Sequence, residues 1–329
     1  MQKILSVSVA AYNLGNMIEE CLNSFVNSTA IDKAEIIVTD DGSSDDTAER
    51  AQKFADAYPD SVKLVRQKNA GPGSTVNSGI LHATGKYFRM VDGDDWVNTD
   101  NFTDFINFLE ICDSDAVVSD YDIFDDSAKS VAETKRSDLI SGKTVSVDDC
   151  AGKFRLEMHA LTFRTEILKN NGVVLDNGFY TDVEYVLLAL QYVKTVSYFN
   201  KSVYVYRVAR AGQSMSAASI IKNNAQHVKV LDRLCTVFKE NKRNYSAGIK
   251  KCFAKRVGAV CDMQLKALII SGDKKTQKPE IRAFVSNLKK NHPEIYSCFK
   301  KGKKYKLLVF SGYLFYGFIK KKILKNAVV

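Results

Sequence analysis

The sequence predicts an α/β fold, a mostly parallel sheet sandwiched by helices, followed by a C-terminal helical region. Three observations carry this. Short apolar runs alternate with segments of helical spacing as far as Phe199, the pattern of a parallel sheet covered on both faces. Acidic clusters follow several of those runs directly, where open sheets bind ligands. Beyond Ser216 the strand signal gives way to long basic helical stretches.

Taken in order, Ile4 to Ala11 is an apolar run ending in Tyr12-Asn13, a buried strand and a turn. Met17, Cys21, Leu22 and Phe25 give Asn16 to Val26 helical spacing. Glu35 to Thr39 reads as a second buried strand, Thr47 to Tyr58 as a helix and Val62 to Arg66 as a short strand. Thr75 to Ala83 (helix), Lys86 to Val91 (strand), Phe102 to Cys112 (helix) and Ala116 to Val118 (strand) continue the alternation. Asp120 to Val147 is polar and lacks apolar periodicity, so it reads as a long excursion, a lid or acceptor loop. Strands are expected again at Ala160 to Phe163 and Thr195 to Phe199, with a helix over Asp182 to Tyr192 between them. Long helices are expected over Ala217–Asn241, Tyr245–Ile270 and Lys278–Lys290. The 329 residues suit two domains, expected at 1–215 and 216–329.

Hydrophobic content of 45% and charged content of 26% are those of a globular protein and exclude extensive disorder. Seven scattered cysteines without a Cys-x-x-Cys pair suggest neither a zinc ribbon nor a disulfide framework, which fits a reducing cytoplasm. No apolar signal segment precedes the first strand. The net charge of +9 conceals an asymmetry. Residues 1–215 carry 21 basic and 32 acidic side chains, and residues 216–329 carry 26 and 6. An acidic front half suits metal ions, and a basic rear half suits an anionic surface.

Leu307 to Ile319 is apolar and aromatic, with lysines on both sides. A transmembrane helix needs roughly 20 apolar residues, and this run is shorter. A helix lying in an anionic membrane interface is expected, which places the protein peripherally on the inner face of the plasma membrane. The alternative is a terminal helix docked on the protein's own core. The aromatics are not interleaved with basic residues as stacking platforms would be, so no nucleic-acid partner is expected.

Three acidic clusters fall near strand or helix ends. Asp40 and Asp41 come directly off a buried strand, where helix capping by Ser44 or Asp46 does not explain them. Asp92-Gly93-Asp94-Asp95 crowds three carboxylates into four residues, which is costly unless a cation compensates. Hard oxygen ligands suit Mg²⁺ or Mn²⁺, with a diphosphate and water completing the shell. Asp182 opens a helix and is a candidate general base, or merely its N-cap. The Gly-rich stretch Asn69 to Gly79 leads into a helix and offers amides to an anion, but it does not match a P-loop.

Together these segments resemble the family-2 glycosyltransferases of the nucleotide-sugar-binding A-type fold. The resemblance rests on Val7 to Asn13, Asp40 to Thr47, Asn77 with Ala83 to Tyr87, Asp92 to Asp95, and Asp182 to Tyr185, in that order. It implies an inverting, metal-dependent transfer of a hexose or N-acetylhexosamine from a UDP-sugar to a glycan or lipid-linked acceptor, in cell-surface polysaccharide or wall-polymer synthesis. Ala10, Tyr12, Asn13, Asp41, Asn77, Asp92 and Gly93 would line the donor site. Asp92 and Asp94 would hold Mn²⁺ or Mg²⁺, and Asp182 would be the base. The basic residue often preceding the family's Asn is here Val76, so Arg207 and Arg210 become candidates for the diphosphate, with surface ion pairing the alternative. His159 is expected either at the acceptor or satisfied within the fold. The single Trp96 leaves no processive Gln-x-x-Arg-Trp signature, which favours addition of one sugar. A nucleotide-sugar-binding protein without turnover and a nucleotidyltransferase are the rival readings, and an oligomer is compatible with all three.

Overall fold

The computed structural model describes residues 2–209 and 217–326, without the side chains of Phe310 and Asn326. The chain divides into two compact units at Val208/Ala209, seven residues before the boundary expected from sequence.

The first unit opens with β1 (Leu5–Ala11), α1 (Asn16–Val26), β2 (Ala34–Asp40), α2 (Thr47–Ala57), β3 (Val62–Arg66), α3 (Pro72–His82) and β4 (Tyr87–Asp92). It continues with β5 (Trp96–Val97), α4 (Thr99–Ile111), β6 (Ala116–Asp125), β7 (Ser130–Lys135), β8 (Thr144–Ser146) and α5 (Val147–Cys150). β9 (Leu161–Arg164), α6 (Thr165–Asn170), α7 (Thr181–Leu190) and β10 (Thr195–Val208) complete it. The sheet runs β3-β2-β1-β4-β9-β6-β10-β5, with β7 on β6 and β8 on β10. β3, β2, β1 and β4 are mutually parallel, as are β6 and β10, while β9 runs antiparallel between these groups.

Register fixes the site. Ala11 pairs with Asp40 and Ala10 with Asp92, so three strands end along one edge. β1 alternates large and small residues. Leu5, Val7 and Val9 are fully buried on one face, while Ser6 and Ser8 lie on the other. The small residues admit α3 at close range: a Cβ on Gly79 would fall 2.0 Å from Ser8 Oγ. Arg89 on β4 is fully buried and donates to Ser119 Oγ (3.3 Å), Thr162 Oγ1 (3.0 Å) and the His159 carbonyl, tying β4, β6 and β9 together. Burial without a carboxylate partner lowers its guanidinium to about 10.

The expected excursion over Asp120–Val147 is instead a continuation of β6 and a hairpin with β7. Its strands lack an apolar face because β7 is mostly exposed, so alternation does not reveal them. β10 extends nine residues past Phe199 to Val208, through register shifts that loosen its alternation. β5, two residues long, gave no signal.

In the second unit, α8 (Ala217–Lys222) and α9 (Asn224–Asn241) replace one expected helix, with Asn223 between them. α10 (Ala247–Ser271) is its central helix, against which α9, α11 (Lys274–Asn291), α12 (Pro293–Phe299), α13 (Lys303–Phe310) and α14 (Tyr316–Asn326) pack. Gly258 lets α12 approach, since a Cβ there would lie 2.9 Å from Cys298 Cβ. The expected single interfacial helix over Leu307–Ile319 is broken between α13 and α14, where Gly312 and Tyr313 take positive φ of 58° and 70°. Leu308, Tyr313, Tyr316 and Ile319 are buried, so much of the run docks on its own unit. No described helix is long and apolar enough to cross a membrane.

Gly73, on α3, touches the loop before α7, and a Cβ there would fall 1.6 Å from the Asp176 carbonyl oxygen. Gly73→Ala should destabilise the first unit by about 2–4 kcal/mol. Urea unfolding followed through the fluorescence of Trp96 should therefore show a lower midpoint.

Candidate active site

The centre is the turn after β4. Gly93 N–H donates to the Ala10 carbonyl (3.1 Å) and Asp95 N–H to the Asp92 carbonyl (3.0 Å). Glycine is required here, since a Cβ would lie 2.6 Å from Ala10 O and 2.5 Å from Leu14 Cδ1. Carboxylate oxygens of Asp92, Asp94 and Asp95 lie within 4.8 Å of one another. Asp92 and Asp94 are half-buried and Asp95 is buried.

Two residues of β10 hold this turn. The Tyr204 hydroxyl donates to Asp95 Oδ2 (2.5 Å) and accepts from Asp92 N–H (3.2 Å). Arg207 N–H donates to Asp95 Oδ1 (2.8 Å), and its Nε–H to the Asp94 carbonyl (2.9 Å). The guanidinium also pairs with Asp126 (2.7 Å) and Glu20 (2.5 Å) and lies 4.6 Å from the Trp96 ring centroid. Both Asp95 oxygens are thereby engaged. Asp92 and Asp94 remain the half-exposed pair suited to a hard divalent ion, with outside oxygens completing the shell. Arg207, a candidate for the diphosphate or for surface ion pairing, is buried in this structure and paired with Glu20 and Asp126. Arg210 lies outside the described residues.

Electrostatics follow from the crowding. Burial, then Asp94 and Asp182, push the Asp92 carboxyl up to about 8. Burial, then Asp92 and Asp94, raise Asp95 well above the ordinary carboxylate range. Asp182 is therefore close enough to Asp92 to perturb it. Asp182 sits in the first turn of α7, half-exposed, but it is not the N-cap, which is Tyr180 in the left-handed region at φ 70°.

A chain of contacts positions α7. Asp41, buried at the end of β2, accepts from Gln67 Nε2 (2.7 Å), Ala70 N–H (2.9 Å) and Gly71 N–H (2.9 Å). Asn77 donates to the Leu175 carbonyl (2.9 Å) and accepts from Leu175 N–H (2.8 Å). Gly73 N–H donates to the Asn177 carbonyl (3.2 Å), and Asp176 N–H donates to the buried Glu184 of α7 (2.8 Å). The side chains of Asp41 and Asn77, assigned to the donor from sequence, brace the 67–77 and 175–177 segments. The amides of Ala70, Gly71 and Gly73, offered to an anion, are spent within the protein.

Of the other expected residues, Tyr12 is 51% exposed at the edge of the site. Asn13, at φ 50°, accepts from Ser44 N–H (2.8 Å) and donates its own N–H to Ser43 Oγ (3.0 Å), shaping the loop after β2. His159 stacks on Tyr206 (4.4 Å) and meets Tyr204 edge-on (4.8 Å), so it is packed into the fold beside the cluster. Tyr204, Trp96, Glu20 and Asp126 carried no signal in sequence, because only the pairing of β10 with β5 and the ion pairs of Arg207 with Glu20 and Asp126 bring them to the turn.

The family model described as Glycosyl transferase family 2 matches residues 6–170, half of the chain. The chain belongs to that family. It is 28% identical over 219 residues to the putative glycosyltransferase EpsH of Bacillus subtilis, covering 62% of this chain and 60% of EpsH. It is 28% identical over 228 residues to the poly(ribitol-phosphate) beta-glucosyltransferase of Bacillus spizizenii, covering 67% of this chain and 34% of that protein. The chain thus spans less than two thirds of the length of these curated relatives. The fold is that of S. aureus TarS 1-349 in complex with UDP, at a TM-score of 0.63 and 17% identity, covering 98% of this chain and 90% of that one. A mannosyltransferase from Pyrobaculum calidifontis in complex with GDP-Man and Mn²⁺ shares it at a TM-score of 0.55 and 16% identity, covering 95% and 88%.

Because Asp92 holds its proton more tightly folded than unfolded, its contribution to stability is full below about pH 4 and lost as pH rises through about 8. With chelator present, the thermal midpoint of wild type should fall between about pH 5 and 8, and Asp92→Asn should flatten part of that fall. Parallel wild-type and variant profiles would contradict the assignment.

Proposed function

We propose that the protein is a metal-dependent, inverting glycosyltransferase. It moves a hexose or N-acetylhexosamine from a UDP-sugar to a hydroxyl of a glycan or lipid-linked acceptor in cell-surface or wall-polymer synthesis. The observation that carries the reading is the convergence of Asp92 and Asp94 with Asp182 beside the sheet edge where Tyr12 stands exposed.

Asp94 and Asp92 would hold Mn²⁺ or Mg²⁺, which supplies charge neutralisation for a departing diphosphate. Tyr12 offers a ring for a base to stack on. Asp182 takes the proton from the acceptor hydroxyl as its oxygen attacks the anomeric carbon. The C–O bond to the diphosphate breaks on the opposite face, so configuration inverts. Arg207 and Tyr204 hold the Asp92–Asp95 turn still while charge moves.

The relatives support the substrate class. TarS has been solved in complex with UDP and with UDP-GlcNAc, and the Bacillus spizizenii relative is a poly(ribitol-phosphate) beta-glucosyltransferase. Mn²⁺ accompanies GDP-Man in the Pyrobaculum enzyme. A polymer or lipid-linked acceptor, together with the net charge of +20 over residues 216–329, favours work at the cytoplasmic face of an anionic membrane.

UDP release should be measured across a panel of nucleotide sugars with Mn²⁺, with and without chelator. One donor should turn over only with metal. Asp94→Ala should lower that rate by at least about 100-fold. Asp182→Asn should lower it comparably while leaving UDP binding intact. Metal-independent turnover, or full activity in Asp182→Asn, would contradict the mechanism.

A further inference from the structure

The elbow between α13 and α14 is tied down by buried side chains and hydrogen bonds yet leaves large apolar side chains in solvent. Tyr313 is buried at the turn, with Lys278 Nζ 5.3 Å and Arg282 Cζ 5.7 Å from its ring centroid. Its N–H donates to the Leu308 carbonyl (2.9 Å), closing α13. The Tyr316 hydroxyl donates to the carbonyls of Ile269 (2.8 Å) and Gly272 (3.1 Å), and Lys320 Nζ to Gly272 O (2.6 Å). Ile319 and Ile323 bury the inner face of α14. With those anchors fixed, Leu314 is 78% exposed, Phe318 62% and Phe315 49%.

Phe318, Lys321, Lys322 and Lys325 recur at helical spacing of three, four and seven, which puts them on one outer face of α14. All three lysines are exposed, as is Lys306 on α13. No acidic residue occurs from Ile295 to Val329, so the lysines have no local counter-charge in sequence. An apolar tip ringed by uncompensated cations matches the chemistry of an interfacial anchor, in which rings enter the acyl boundary and ammonium groups meet lipid phosphates. A second copy of the chain would have to bring two lysine rings together, which the charge disfavours.

We propose that the α13–α14 elbow is a membrane anchor that inserts Leu314, Phe315 and Phe318 into an anionic bilayer and seats Lys306, Lys321, Lys322 and Lys325 on its headgroups. This deepens the membrane-face part of the proposed function and is independent of the chemistry at Asp94. The anchor dips into one leaflet and does not span.

The test is flotation of the full chain with vesicles of phosphatidylcholine, with and without about one third phosphatidylglycerol, in low and high salt. Wild type should float with the anionic vesicles, much less with neutral ones, and less in high salt. Changing Lys321, Lys322 and Lys325 together to Gln should weaken binding about 100-fold at low salt. Leu314→Ser/Phe315→Ser/Phe318→Ser should abolish flotation while the circular-dichroism melt and UDP binding stay as in wild type. Asp94→Ala should float normally, which separates failure of the anchor from failure of the transferase reading. Absence of wild-type flotation, equal binding to neutral vesicles, or unchanged flotation of the apolar triple variant would overturn the proposal. So would a wild-type dimer by light scattering that the apolar triple variant dissolves, since the tip would then belong to a second copy.

Discussion

Carboxylate repulsion at the end of β4 is the constraint on which the first unit is organised. Asp92, Asp94 and Asp95 occupy one turn, and Asp182 approaches from another helix. Left to themselves, such groups would spread into solvent or take up protons. Tyr204 and Arg207 prevent the spreading by spending a hydroxyl, a backbone amide and a guanidinium on the turn. The brace also sorts the acids. It engages both oxygens of Asp95 within the protein and leaves Asp92 and Asp94 half-buried, so one sequence motif yields a structural carboxylate beside the two acids proposed as metal ligands.

The second part of the organisation is the delivery of Asp182. The first turn of α7 is held in large part by contacts from other segments. Asp41 gathers the amides of Ala70 and Gly71, Asn77 clamps Leu175, and Glu184 captures Asp176 N–H. Gly71 and Gly73 permit this contact, because a side chain on either would strike the Asn177 or Asp176 carbonyl. Polar residues beside a site can therefore act on it by holding backbone in place.

Much of this was legible in sequence where periodicity and burial coincide. The doubly covered strands β1, β2 and β4 are apolar runs, and their acidic ends were conspicuous because charge follows hydrophobic sequence so abruptly. Legibility failed where backbone pairing does the work. β7 is almost wholly exposed, and β5 is two residues long, so neither leaves a pattern. Residue type alone also does not show that Asp41 and Asn77 hold neighbouring main chain, which only the fold reveals. Arg207 was visible as a cation but not as the partner of Glu20 and Asp126, which are distant in sequence. In the C-terminal unit the apolar run over Leu307–Ile319 suggests either an interfacial helix or a docked one, and Gly312 and Tyr313 divide it between a docked face and an exposed tip.

Asp92 and Asp94, set apart from Asp95, are the pair proposed to receive a divalent ion. Diffraction from crystals grown with UDP and Mn²⁺, recorded at the manganese absorption edge, tests it directly. One anomalous peak is expected about 2.1 Å from a carboxylate oxygen of Asp94 or Asp92, with Asp95 still bonded to Tyr204 and Arg207. A peak coordinated by Asp95 with those bonds broken, or no peak at the turn while UDP is bound, would contradict it.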